Sequence, residues 1–214
     1  MNNNLLIIPH YNNPTGLAAS ISSIGKNEKL DIIIVDDGST EKKVDEELVL
    51  KNKHFQGSII FKYCQINRGI EYVLNDGIDY AVKNKYKYIS RLDCGDLCLA
   101  NRFEIQENFL ENNSDYALVG SAVKAVDKNQ KFLFNVNNPL TDEEIRKVMK
   151  SRCAFIHPSV MFRSDIIPVV GKYPTNYKAA EDFAFFVNIL KKYKGRNIEK
   201  PLVIIEINTK GISI

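Results

Sequence analysis

Apolar positions in the first hundred residues follow two alternating patterns. Residues 5–8, 32–35, 58–63 and 86–92 form short runs rich in aliphatic, β-branched and aromatic side chains, and these predict strands. Between them, Leu17, Ala18, Ile21 and Ile24 recur at helical spacing. Ile70, Val73, Leu74, Ile78, Ala81 and Val82 lie on one helical face. A charged stretch over 41–51 predicts another helix. Strand–helix alternation of this kind implies right-handed crossovers and a largely parallel sheet.

The second half is less regular. Residues 118–126 and 132–136 predict a β pair turning at 127–129. Thr141 and Glu144 make a capping box that opens a helix running to about residue 151. A short strand is expected at 160–162. From Glu181, the residues Phe183, Phe186, Val187 and Leu190 form a helical stripe, and Lys191, Lys192 and Lys194 follow where cations suit the helix dipole. A last strand is expected at 202–207. No repeat, low-complexity tract or linker divides the chain, so a single α/β domain over 1–214 is the expectation.

Composition narrows the partners. The 214 residues are 44% apolar and 26% charged, as in an ordinary globular protein. Twenty-nine Lys and Arg against 26 Asp and Glu leave a formal charge of only +3, and Trp is absent. That excess is too small for the electrostatic footprint of a nucleic-acid binder. Four cysteines at 64, 94, 98 and 153 lack the spacing of a disulfide scaffold. The N-terminus has no basic region, and its apolar run stops at Pro9, so no signal peptide is expected. No stretch approaches the ~18–20 apolar residues of a membrane span. A reducing cytoplasm is the expected address.

Three polar clusters, at 9–13, 36–40 and 93–96, each follow a predicted strand. In an open α/β sheet that edge is where ligands bind. After 32–35 the chain places Asp36 and Asp37 in a Gly turn. One carboxylate or Ser39 is readily used as a helix cap, whereas two adjacent carboxylates point to a ligand: a base N–H or a ribose hydroxyl. Asp93 and Asp96 flank Gly95, and hard oxygens there suit Mg²⁺ or Mn²⁺ carrying a diphosphate. The alternative is a turn that caps the helix holding Arg102 and Phe103. Glu181 and Asp182 stand in a first helical turn, where the dipole favours carboxylates in any case. His157 is short of context, and His10 and His54 carry no pattern. Cys94, Cys98, Cys153 and His157 add up to four zinc ligands, but at a spacing that does not suit a structural site; free thiols are the expectation.

Taken together, these segments resemble the family-2 glycosyltransferases, nucleotide-sugar enzymes with the GT-A fold. The resemblance runs in order through IIPHYNN, IIIVDDGST, NRG, RLDCGDLCLANRFEIQ, HPSVMFR and AEDFAFFVNIL, ending near LVIIEINTKGIS. It is nearest to bacterial enzymes that add sugars to capsule, O-antigen or lipooligosaccharide chains. It implies a Rossmann-like, mostly parallel sheet with helices on both faces, a nucleotide-sugar half over 1–100, and a smaller acceptor-side half over 101–214.

The resemblance also implies roles. Pro9 and Tyr11 would wall a base pocket, Asp37 would accept from a pyrimidine N–H, and Arg68 would lie beside the nucleotide. Asp93 would hold the ribose or a Mg²⁺ or Mn²⁺ ion, with Asp96 as a second ligand. Asp182 would be the general base of an inverting transfer from a UDP-sugar to a glycan or lipid-linked acceptor, with Glu181 beside it. Peripheral contact with the inner face of a membrane is implied as well. One departure stands out: Gly95 occupies the position where the family commonly carries the carboxylate credited with the metal. Two alternatives remain. A sugar-nucleotidyltransferase would want a Gly-rich loop with basic residues after the first strand, and PHYNNPTG offers one Gly and none. A nucleotide-sugar binding module without turnover is the other.

Overall fold

The computed structural model describes residues 2–177 and 179–207, so the end of the resemblance, 208–213, lies outside the described residues. The first half alternates as its pattern predicts: β1 (Asn4–His10), α1 (Pro14–Ser22), β2 (Asp31–Asp36), α2 (Glu46–Lys51), β3 (Ile59–Tyr63), α3 (Ile70–Lys83) and β4 (Tyr88–Arg91). Then follow β5 (Leu97–Cys98), α4 (Arg102–Asn112), β6 (Tyr116–Val126), β7 (Phe132–Val136) and α5 (Asp142–Val148). The chain continues through β8 (Met161–Arg163), α6 (Ile167–Val170), α7 (Glu181–Leu190) and β9 (Lys194–Glu206).

Within the described residues, all nine strands join one sheet in the order β3-β2-β1-β4-β8-β6-β9-β5, with β7 paired to β6. The first four are parallel. Beyond β4 the sheet is mixed: β8 runs antiparallel to β4 and β6, while β6 and β9 are parallel. The largely parallel expectation therefore describes the first half.

Two cores flank the sheet, and they follow the two-residue period of the strands. Leu5, Ile7, Ile33 and Val35 pack with Val73, Leu74, Ile78, Phe185, Phe186 and Ile189 on one face. Leu6, Ile8, Ile32 and Ile34 pack with Leu17, Ile21, Val49, Phe103 and Leu110 on the other. Helices thus cover both faces. Gly77 lets α3 approach β1 closely, since a Cβ there would lie 2.7 Å from Ile7 Cδ1.

Three local expectations change. The helix expected over 41–51 begins only at Glu46, because Asp45 caps it by accepting from Leu48 N–H at 2.9 Å. The Thr141–Glu144 capping box forms as predicted, but its helix ends at Val148. The last strand starts at Lys194, not at Leu202. Its early buried positions are Gly195 and Asn197, which no apolar pattern marks. Among the described residues no helix is long and apolar enough to cross a membrane.

Candidate active site

The chain passes from β1 to β2 and β3 on one side, then returns to place β4 on the other side of β1. This strand order makes the β1/β4 boundary a switch point, where open α/β sheets leave a crevice. A cleft of about 290 Å³ lies there, lined by Pro9, His10, Tyr11, Asp37, Ile70, Val73, Asp93 and Cys94. Four of the expected donor-site residues, Pro9, Tyr11, Asp37 and Asp93, therefore share one hollow. A smaller hollow of about 190 Å³, lined by Ala122, Asn137, Asn138, Leu140 and Glu199, holds none of them.

The turn after β2 is built by its own carboxylates. Asp36 accepts from His10 Nδ1 at 2.6 Å, from Ser39 N–H at 3.0 Å and from the Ser39 hydroxyl. His10 Nε2 accepts from Asn13 N–H at 3.2 Å, so this network puts the imidazole proton on Nδ1. Asp37 Oδ1 accepts from Arg68 N–H at 2.8 Å, and its Oδ2 from Gly69 N–H at 3.0 Å. Both aspartates thus have a structural use, so their pairing does not by itself require a ligand. Asp37 keeps unused lone pairs at the cleft wall, because each carboxylate oxygen can accept twice.

Arg68 meets the site through its backbone. Its guanidinium turns to Asp76 and Cys64 and lies over the Tyr72 ring at 5.8 Å, away from the cleft lining.

The turn after β4 is of another kind. Asp93 Oδ1 accepts from Arg91 Nη2 at 2.6 Å, and its side chain is 40% exposed. Ser20, buried on α1, donates to Asp96 O at 2.8 Å and accepts from Gly95 N–H at 2.9 Å, pinning the turn from below. Gly95 has φ +109°, in the left-handed region that L side chains rarely adopt. Glycine at this position therefore suits the backbone, and is more than a missing carboxylate. Burial, and then the neighbouring Asp93 charge, raise the Asp96 carboxyl above its usual range, while the Glu206 backbone N–H opposes the shift.

Asp182 and Glu181 open α7 and do not line the cleft. Asp182 is partly exposed, with Oδ2 3.8 Å from His157 Nδ1. That contact is not an ion pair, because burial first and Arg91 second hold His157 well below its usual pKa and keep it neutral. His157 Nε2 shares a hydrogen bond of 2.9 Å with the Tyr173 hydroxyl. Glu181 is buried, which raises its carboxyl.

The four cysteines are free. Cys98 sits against Arg102 and Cys153 against the Phe155 carbonyl, and no group of three or more His, Cys, Asp or Glu side chains among the described residues is placed to hold a metal. Sequence reasoning missed three residues of this region: His10, Ser20 and Arg91. His10 and Ser20 carry no pattern. Arg91 ends a strand of buried residues, YISR, and a cation at a fully buried position was the available signal.

Comparison with known proteins decides the family. The description Glycosyl transferase family 2 matches residues 5–170. The chain belongs to glycosyl transferase family 2. A family relative, the uncharacterized glycosyltransferase MJ1057 of Methanocaldococcus jannaschii, is 31% identical over 92% of this chain and 68% of its own length. The O-antigen biosynthesis glycosyltransferase WbnJ of Escherichia coli is 30% identical over 56% of this chain and 46% of its own. Of two further relatives the chain spans only 31% and 28%.

Among solved structures, S. aureus TarS 1-349 in complex with UDP-GlcNAc superposes with TM-score 0.71 at 16% identity, over 99% of this chain and 60% of that one. The mannosyltransferase PcManGT from Pyrobaculum calidifontis in complex with GDP-Man and Mn²⁺ gives 0.66 at 16%, over 98% and 58%. At that identity the likeness establishes the fold, which is the expected GT-A arrangement.

Proposed function

We propose that this family-2 chain transfers a sugar, with inversion, from a nucleoside-diphosphate-sugar to a hydroxyl of a glycan or lipid-linked acceptor in surface polysaccharide synthesis. A UDP-sugar is the proposed donor. The observation that carries the reading is the meeting of three strand ends, with Asp37 and Asp93, around one cleft at the sheet's switch point. WbnJ and the UDP-GlcNAc complex of TarS support the pathway class and the donor class.

In this reading 1–100 holds the donor and 101–214 faces the acceptor. Tyr11 and Pro9 wall the base, and Asp37, fixed by two backbone N–H groups, accepts from the pyrimidine N–H. Arg68 contributes its backbone beside the nucleotide. Asp93 offers Oδ2 to the ribose or to a metal, since Arg91 already engages Oδ1. Asp182 takes the acceptor hydroxyl proton. The acceptor oxygen then bonds to the anomeric carbon as the bond to the diphosphate breaks on the opposite face, and the nucleoside diphosphate departs with the electron pair. Glu181, buried behind it, is the secondary candidate. A lipid-linked acceptor would bring the enzyme to the inner face of the cytoplasmic membrane as a peripheral protein.

The donor set fits a Mg²⁺ or Mn²⁺ ion of a particular kind. Asp93 keeps Oδ2 free at the cleft, a hard oxygen suited to such an ion, and Asp96, outside the cleft lining, would be the second carboxylate. Mg²⁺ in particular is commonly bound by one or two carboxylates and completed by substrate phosphates and water. When bound, the ion would offset charge on the leaving diphosphate. The test is a panel of UDP-, GDP-, dTDP- and CMP-sugars followed by thermal shift and by nucleotide release. The proposal expects stabilisation and slow UDP release with a UDP-sugar. Stabilisation without release in the presence of acceptor glycans would support a binding module instead.

A further inference from the structure

The roles above leave Arg91 unused. It is the last residue of β4, 2% exposed, and its backbone N–H donates to Val160 O at 3.1 Å. Its Nη2 bonds Asp93, but Nε and Nη1 are buried with no hydrogen-bond partner among the described residues. As a structural device this is poor. A buried cation with unpaired N–H groups weakens a fold, and an apolar side chain of similar volume would pack the space at no such cost. Residues that break the packing rules in this way concentrate at functional sites.

Its surroundings say which site. Asp93 takes one arm of the guanidinium, and Val160, bonded to the Arg91 backbone, directly follows the short helical turn of His157. Arg91 thus ties the turn of Asp93 to the segment whose His157 lies 3.8 Å from Asp182 at the start of α7. We propose that Arg91 is a positioning residue of the transfer reaction: by fixing Asp93 Oδ1 it presents Oδ2 alone to the donor and offsets the charge that would otherwise repel the diphosphate. This rests on the glycosyltransferase reading. A planar guanidinium holds a carboxylate with one arm while its other nitrogens point elsewhere, which a lysine ammonium cannot reproduce.

Arg91→Lys keeps the charge and removes the fork. It is expected to weaken UDP binding in Mn²⁺ about tenfold and to raise donor KM more than it lowers kcat, an effect of about one decade for a lost charge-assisted bond. A double-mutant cycle supplies the readout that a structural role would not move. If Arg91 acts through Asp93, Arg91→Lys/Asp93→Asn binds UDP within about twofold of Asp93→Asn alone. Wild-type UDP affinity and donor KM in folded Arg91→Lys overturn the proposal, as do losses that multiply in the double variant. Failure of Arg91→Lys, Arg91→Gln and Arg91→Met alike to fold assigns the residue to the core and also overturns it. Absence of UDP binding by the wild-type chain is a separate outcome: it defeats the donor reading, and this proposal with it, before any variant is made.

Discussion

The turn after β2 and the turn after β4 each deliver two aspartates close to a glycine, yet they are opposites. In the first, Asp36 and Asp37 are both buried, and all four carboxylate oxygens accept hydrogen bonds from His10, Ser39, Arg68 or Gly69. In the second, Asp93 is open with one oxygen engaged, Asp96 is raised by burial and by its neighbour, and Arg91 beneath carries unpaired nitrogens. A carboxylate satisfied by the chain's own N–H groups gives a loop its shape. One left partly unsatisfied in a crevice is suited to a ligand. The first turn thus shapes the cleft and fixes Asp37 at its wall, and the second brings a less satisfied carboxylate, Asp93, into it.

The largest expected effect comes from the helix beside the open turn. Asp182→Asn keeps the first-turn geometry of α7 but cannot take a proton, and transfer should fall by about 10²–10⁴ with UDP affinity unchanged. Steady-state kinetics with an acceptor glycan, beside calorimetric titration of UDP, check this. A rate near wild type would move the base to Glu181 or His157. Within the open turn itself, Asp93→Asn should reduce transfer about 10²-fold, the scale of a lost electrostatic contact to the reacting group. Its melting temperature should fall less than that of Asp36→Ala, because Asn Oδ1 can still accept from Arg91 Nη2 although the buried guanidinium loses its counter-charge.

The satisfied turn should answer in the other currency. Asp36→Ala strands the His10 ring N–H and the Ser39 N–H and hydroxyl, and each buried unsatisfied group costs about 1–3 kcal/mol. A loss of about 3 kcal/mol or more is expected in urea unfolding, with transfer per folded molecule retained within tenfold. The smallest effect is that of Gly95→Asp, which restores the family's carboxylate on a backbone at φ +109°. Strain of about 1–2 kcal/mol is expected. No gain in transfer or Mn²⁺ affinity should accompany it, and a gain would show that the missing carboxylate matters more than the backbone.

The same contrast explains what the sequence disclosed. Strand alternation was legible because Leu5 to Ile8 of β1 and Ile32 to Val35 of β2 are all aliphatic and pack into one core or the other. The cleft was legible because strand ends in this topology must converge. The use of each aspartate was not, since Asp36 and Asp93 look alike in a string and differ only in which N–H groups reach them. The bonds to Arg68 and Gly69 that fix Asp37 at the cleft wall were likewise invisible in the string. The first half of β9 escaped because it buries Asn197, whose Nδ2 donates to Pro139 O and Ala154 O at 2.8 Å, where a pattern reader expects Val or Ile. Arg91 escaped because its meaning depends on its burial and its unpaired nitrogens, neither of which shows in a string.

The most direct test sets the two turns side by side. Asp36→Ala and Asp93→Asn would each be measured for melting temperature and for UDP affinity in Mn²⁺, in one buffer. The account predicts the larger drop in melting temperature with near-wild-type affinity for Asp36→Ala, and the smaller drop with affinity weakened about tenfold or more for Asp93→Asn. The reverse pattern, or an Asp93→Asn chain that binds UDP as the wild type does, would contradict it.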